Sequence, residues 1–139
     1  MISIPYSELS EAFEFGAAGE ELSAYLSLDT GKFYFVSDFL EPEEELPSDI
    51  EDSDRYLLLP GKRDLDLGVR LALRFTEEAF PALLSEVSEI FRRKGAYARY
   101  RDFLESHDAV ERWYQFEADA TKEALLAWCA ENKVQVTDA

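Results

Sequence analysis

The chain has 139 residues, 47% hydrophobic and 14% aromatic, enough to build a core; the whole of 1–139 reads as one domain and excludes a disordered chain. Thirty acids against 14 bases give a net charge of −16, a field that repels nucleic acid and anionic membranes. A lone cysteine, Cys129, excludes an internal disulfide. With no 18-residue apolar run and no leader pattern, a soluble cytoplasmic protein is expected.

The charge is unevenly placed. Residues 1–60 hold 15 acids and only two bases, Lys32 and Arg55, whereas 61–139 hold 15 acids and 12 bases. Six of the bases fall between Arg92 and Trp113. The acidic half favours a basic protein partner, or serves only solubility.

In chain order, Leu9, Ala12 and Phe13 share one face of a helix over 7–15, with Ser7 as N-cap and Gly16 as terminator. Ala24, Leu26 and Leu28 alternate with polar or amphipathic residues, which predicts a half-buried strand. Asp29-Thr30-Gly31 supplies a turn with Gly31 left-handed, and Lys32 to Val36 returns as the second strand of a hairpin. Residues 37–54 contain nine acids, two prolines and no base, which predicts an extended, mobile surface loop. Tyr56 to Leu59 is apolar without alternation, as in a strand buried on both faces.

The remainder is helical in pattern. Asp64 or Asp66 is placed to cap a helix bearing Leu67, Leu71 and Phe75. Leu83, Leu84, Val87, Ile90 and Phe91 give the spacing of a second helix, ending in Arg92-Arg93-Lys94 with Gly95 as its stop. Tyr97, Tyr100 and Phe103 mark a third helix with a shared core face, and Asp108 with Glu111 forms a capping-box pattern for a last helix that breaks near Asp119. The expected fold is α+β, with a small antiparallel three-stranded sheet packed against a mainly helical C-terminal half.

Leu28-Asp29-Thr30-Gly31, Leu58-Leu59-Pro60, Gly95-Ala96-Tyr97 with Arg99-Tyr100-Arg101-Asp102, and Glu111-Arg112-Trp113-Tyr114 together resemble the uncharacterised protein family 0158. The resemblance spans nearly the whole chain. It implies a bacterial origin and a small single domain, and it brings no activity, because the family has none assigned.

Catalytic constellations fail on spacing or partners. Asp29-Thr30-Gly31 is the tripeptide of aspartic proteases, which need two such carboxylates sharing a proton, and the chain has one copy. Asp49, Glu51, Asp52 and Asp54 are close in sequence, yet an EF-hand frame starting at Asp49 puts Asp54 where glycine belongs and Pro60 where the final glutamate belongs. One histidine, His107, and one cysteine do not make a transition-metal or nucleophile pair. No catalytic residue, metal site or cofactor is assigned, and the leaning is toward a protein that is not an enzyme.

Two candidate surfaces remain. The first is an acidic face of Glu43, Glu44, Glu45, Asp49, Glu51, Asp52 and Asp54, presented by a non-enzymatic interaction module to a basic partner. The second is an anion site of Arg92, Arg93, Arg99, Arg101 and Arg112 for a phosphate or nucleotide ligand. Against the second stands a structural reading, in which these arginines pair with Asp102, Glu105 and Glu111 and complement helix ends.

Overall fold

The protein is described from a computed structural model covering residues 1–39, 41 and 45–139. Among these residues it is an α+β protein with a three-stranded antiparallel sheet and five α-helices, four of them beginning after residue 68. The chain divides into two compact units, 1–65 with 124–139, and 66–123.

The first unit begins with strand β1 (Ser3–Pro5), which pairs in parallel with the last strand, β5 (Gln135–Thr137). Gln135 N–H donates to Ile2 O at 2.9 Å, so the two chain ends are tied together. This two-stranded sheet is absent from the sequence reading because three-residue strands carry no usable period. Pro5 fixes an extended backbone at φ −72° and leads directly into helix α1 (Tyr6–Ala17). The helix starts one residue before Ser7, which therefore does not cap it, and runs through Gly16 rather than stopping there. Leu9, Ala12 and Phe13 are its buried face, as the spacing predicts.

Strands β2 (Leu22–Ser27), β3 (Phe33–Ser37) and β4 (Tyr56–Leu58) form the antiparallel sheet in the order β3-β2-β4. The hairpin pairs Tyr25 with Tyr34 and Ala24 with Phe35. Its turn is built on Ser27: the hydroxyl accepts from the N–H groups of Asp29 and Thr30, and the carbonyl accepts from Gly31 N–H at 2.9 Å. Gly31 has φ +78°, the left-handed conformation expected of it. Strand β4 departs from expectation. It is an edge strand, and Leu58 is 56% exposed rather than buried on both faces.

The second unit holds α2 (Val69–Ala79), a 3-10 turn at Pro81–Leu83, α3 (Leu84–Ile90), α4 (Ala96–Ser106) and the first part of α5 (Val110–Glu131). Neither Asp64 nor Asp66 caps α2, which starts from Gly68. Asp64 accepts from Gly61 N–H at 2.8 Å, and Asp66 occupies left-handed backbone at φ +55°, which Asp tolerates better than most residues. Helix α3 ends at Ile90, so Arg92-Arg93-Lys94 lie in the following turn, and Gly95, at φ +73°, opens α4 instead of closing α3. Asp108 is likewise left-handed, two residues ahead of α5, and forms no capping box. Helix α5 is continuous through Asp119, whose carboxylate accepts from Gln115 Nε2 one turn earlier at 2.9 Å.

The core of this second unit is aromatic. Tyr100 contacts Phe91, Phe103 and Trp113 with ring centroids 5.2, 6.2 and 5.3 Å apart, and Phe75 lies 5.5 Å from Trp113. Such pairs add to the area they bury. Tyr97 leaves the predicted shared face: it is 60% exposed, resting edge-on against Phe91.

Candidate functional site

From 47 to 56 the acidic stretch is folded into hydrogen-bonded turns. Ile50 N–H donates to Pro47 O, Asp52 N–H to Asp49 O, and both Arg55 and Tyr56 N–H to Asp52 O. Asp52 Oδ1 also accepts from Asp54 N–H at 3.0 Å, a local turn bond typical of aspartate. Arg55 holds this structure against the hairpin. Its Nη2 and Nε reach Asp29 Oδ2 at 2.9 and 3.3 Å, and its Nη1 reaches Asp49 Oδ2 at 3.0 Å. Bonding to Asp29, then the nearby charges of Asp29 and Asp49, raises the Arg55 pKa above the ordinary arginine value.

Asp49 is therefore half-buried and engaged, while Glu45, Glu51, Asp52 and Asp54 are exposed. Glu43 and Glu44 lie outside the described residues. Among the described residues no three His, Cys, Asp or Glu side chains are grouped to hold a metal ion. The carboxylate of Asp29 is committed to Arg55, so the Asp-Thr-Gly tripeptide serves as turn and anchor.

The five candidate arginines do not share a partner. Arg92 Nη1 donates to Glu89 Oε1 at 2.9 Å. Arg101 Nε donates to Glu105 Oε1 at 3.1 Å and its Nη1 to the Tyr114 hydroxyl at 2.7 Å. The Glu105 bond is the main reason the Arg101 pKa rises. Arg112 stands over the Phe80 ring, 5.3 Å from its centroid. Arg99 makes one long contact, 3.5 Å, to Ile90 O at the end of α3, and Arg93 makes no ion pair among the described residues. Of the carboxylates expected as partners, Glu105 takes that role; Glu89 takes the other. Tyr114 and Phe80 were missed because they lie on other elements, and no local spacing announces a contact across 13 or 32 residues.

His107 and Cys129 are separate features. His107 follows α4, its Nδ1 2.9 Å from Phe103 O and its ring 4.4 Å from the Phe103 ring. Burial pushes the Cys129 thiol up to about 11, which suppresses the thiolate that a nucleophile requires.

A protein-family model described as an uncharacterised family, UPF0158, matches residues 3–138. The chain belongs to this family. Neither the curated proteins nor the solved structures contain a match to it. The two C-terminal segments that carry the UPF0158 resemblance meet in the second unit: Tyr100 packs on Trp113, and Arg101 bonds Tyr114. Gly95, which opens α4, has Arg99 Nη1 3.5 Å from where a Cβ would sit. Much of the motif chemistry in this UPF0158 chain is thus spent on joining α4 to α5. No described helix is long and apolar enough to cross a membrane.

Proposed function

We propose that the protein is a non-enzymatic interaction module whose acidic N-terminal unit binds a basic protein partner. The observation that carries this reading is the separation of charge between the units. The first unit holds 18 acids and five bases, the second 12 acids and nine bases. Within the first, Arg55 is consumed internally by Asp29 and Asp49, leaving Glu51, Asp52 and Asp54 exposed on hydrogen-bonded turns, with Glu45 exposed ahead of them. Fixed, like-charged carboxylates raise the rate and the salt sensitivity of association with a cation-bearing surface. A cytoplasmic setting accords with the single reduced, buried thiol.

The test is binding of the partner to the full chain and to a form lacking 41–54, each at low and high salt. Association that weakens at least ~10-fold with salt and with the deletion supports the reading. Equal binding by both forms sinks it.

A second reading, an anion site for phosphorylated ligands, draws support from Arg93 and Arg99 alone. They are the two candidate arginines outside the side-chain contacts that occupy Arg92, Arg101 and Arg112. A thermal shift with inorganic phosphate that disappears in Arg99→Ala favours this reading; no shift dismisses it.

A further inference from the structure

Strand β3 presents a row of backbone groups that no described residue engages. Two hydrogen bonds fix the phase of its ladder with β2: Ser27 N–H to Lys32 O at 2.9 Å, and Asp38 N–H to Glu21 O at 3.0 Å. In an antiparallel pair, residues alternate between exchanging bonds with the neighbour and pointing their groups the other way. With Leu22 opposite Ser37 and Leu26 opposite Phe33, Tyr34 and Val36 face β2. Phe33, Phe35 and Ser37 therefore aim N–H and C=O away from the sheet.

The opposite edge is blunted. Leu59 N–H to Ala24 O and Leu28 N–H to Arg55 O set the same alternation in β4, turning Tyr56 and Leu58 outward. Tyr56 N–H is then taken by Asp52 O at 2.9 Å, and the strand is only three residues long. The acidic turns thus protect β4 from further pairing. Strand β3 has five residues and neither proline nor charge within it, the devices that normally guard an edge.

Beside this edge, which no described residue covers, lies a groove of about 310 Å³. One wall is Glu8 and Glu11 of α1; the other is Thr30 to Phe33 with Phe35. Phe35 is 41% exposed, and its ring meets Phe15 of α1 edge-on at 5.0 Å, which places the face bearing Phe33 and Phe35 toward the helix. The groove therefore combines an apolar floor, the carboxylates of Glu8 and Glu11, one cation at its end, Lys32, which stands 5.1 Å over the Tyr34 ring, and outward main-chain donors and acceptors.

We propose that the β3 edge and this groove dock an extended segment of another protein, added as a fourth strand, with basic side chains at alternate positions. This rests on the acidic-module reading and names where and how the partner binds. Main-chain bonds to Phe33, Phe35 and Ser37 supply affinity, and side-chain pockets supply choice. Alternate side chains on one face of a strand are spaced ~6.6 Å apart. Glu8 and Glu11, three apart on a helix, are spaced by a similar ~5–6 Å. Lysines or arginines at every second position thus have a spacing close to that of the Glu8–Glu11 pair in the groove wall. A second copy of the chain is a poor occupant, since it would set the same carboxylates against each other in a molecule of net charge −16.

The test uses the full chain and a probe peptide alternating Lys with Val, beside a counterpart with Glu for Lys, read by amide hydrogen exchange. The Lys peptide slows exchange at Phe33, Phe35 and Ser37 at least ~10-fold at low salt, and the Glu peptide does not. Phe35→Pro removes an outward N–H without removing a ladder bond and weakens the Lys peptide ~10-fold or more. Glu8→Lys with Glu11→Lys, exposed helix positions that leave the strand intact, weakens it similarly. Protection confined to 45–54 overturns the edge site while sparing the acidic-module reading. No binding of the Lys peptide anywhere overturns both. Protection at Phe33 and Phe35 that grows with protein concentration alone assigns the edge to a second copy and overturns the proposal.

Discussion

Arg55 and Asp29, 26 residues apart, are joined by two hydrogen bonds from Nη2 and Nε to Oδ2, and the same guanidinium holds Asp49. The hairpin turn and the acidic stretch are thereby one structure. Both side chains are more than half exposed, so the bond organises the local chain more than it stabilises the fold. Arg55→Ala is expected to speed amide exchange at Asp52, Asp54 and Tyr56 while leaving the centre of β2 unchanged. The thermal midpoint should move by no more than ~3 °C. A larger fall would make the staple a global element.

Tyr100 is 2% exposed and its hydroxyl has no hydrogen-bond partner among the described residues. Burial raises its pKa far above the ordinary tyrosine value, and the nearby Thr76 hydroxyl, which donates to Ala72 O at 2.8 Å, partly opposes this. A buried group without a partner costs the fold its desolvation energy. Tyr100→Phe should therefore leave stability unchanged or raise it by up to ~1 kcal/mol in urea unfolding. A loss above ~1 kcal/mol would mean that the hydroxyl is satisfied, by donation to Thr76 Oγ1 or by a bound water.

Gly31 sits at φ +78°, where a Cβ is strained, although the nearest side-chain atom, Ile4 Cγ2, would lie at an ordinary 3.5 Å. Gly31→Ala is expected to cost ~1–2 kcal/mol from backbone strain alone. Gly31→Asn should recover part of that loss, because asparagine enters the left-handed region more readily. Equal losses for the two would place the cause in side-chain packing.

Cys129 titrates at about 11 in the folded protein, raised by burial. At about pH 8 the thiolate fraction is then ~100-fold below that of an exposed cysteine, so modification by a disulfide reagent should be at least that much slower than in urea. An acid whose folded pKa is raised keeps its proton longer when folded, so its contribution is full below the unfolded value near 9 and is lost as pH rises through about 11. Cys129→Ser should flatten that alkaline decline. An unchanged slope would assign it to other groups.

Legibility in the sequence followed the range of each interaction. The hairpin, its Gly31 turn and the helical second half were readable because period and turn chemistry are local. The β1–β5 pairing was hidden because it joins residues 132 apart through strands of three residues. Helix starts differ at Ser7, Asp64, Asp66 and Asp108, where a polar residue near a helix suggests a cap; Ser7 is already inside α1, and the three aspartates lie in turns before their helices. The acidic stretch looked repulsive throughout. From Pro47 on, main-chain bonds form turns, and one base just past its end, Arg55, ties them to the hairpin through Asp49 and Asp29. For the candidate sites, the residue types were visible and their partners were not: Arg101 with Tyr114 and Arg112 with Phe80 are contacts between different elements.

The central claim is that the acidic unit, rather than the arginines of 92–112, carries binding. The most direct measurement is quantitative capture from the protein's own host with three baits. These are the native chain, a form with Glu45→Gln, Glu51→Gln, Asp52→Asn and Asp54→Asn, and a form with Arg93→Glu and Arg99→Glu. The account predicts one basic protein held by the native and arginine-reversed forms at low salt, and lost ~10-fold or more from the acid-neutralised form. The same partner held by the acid-neutralised form and lost from the arginine-reversed form would contradict it.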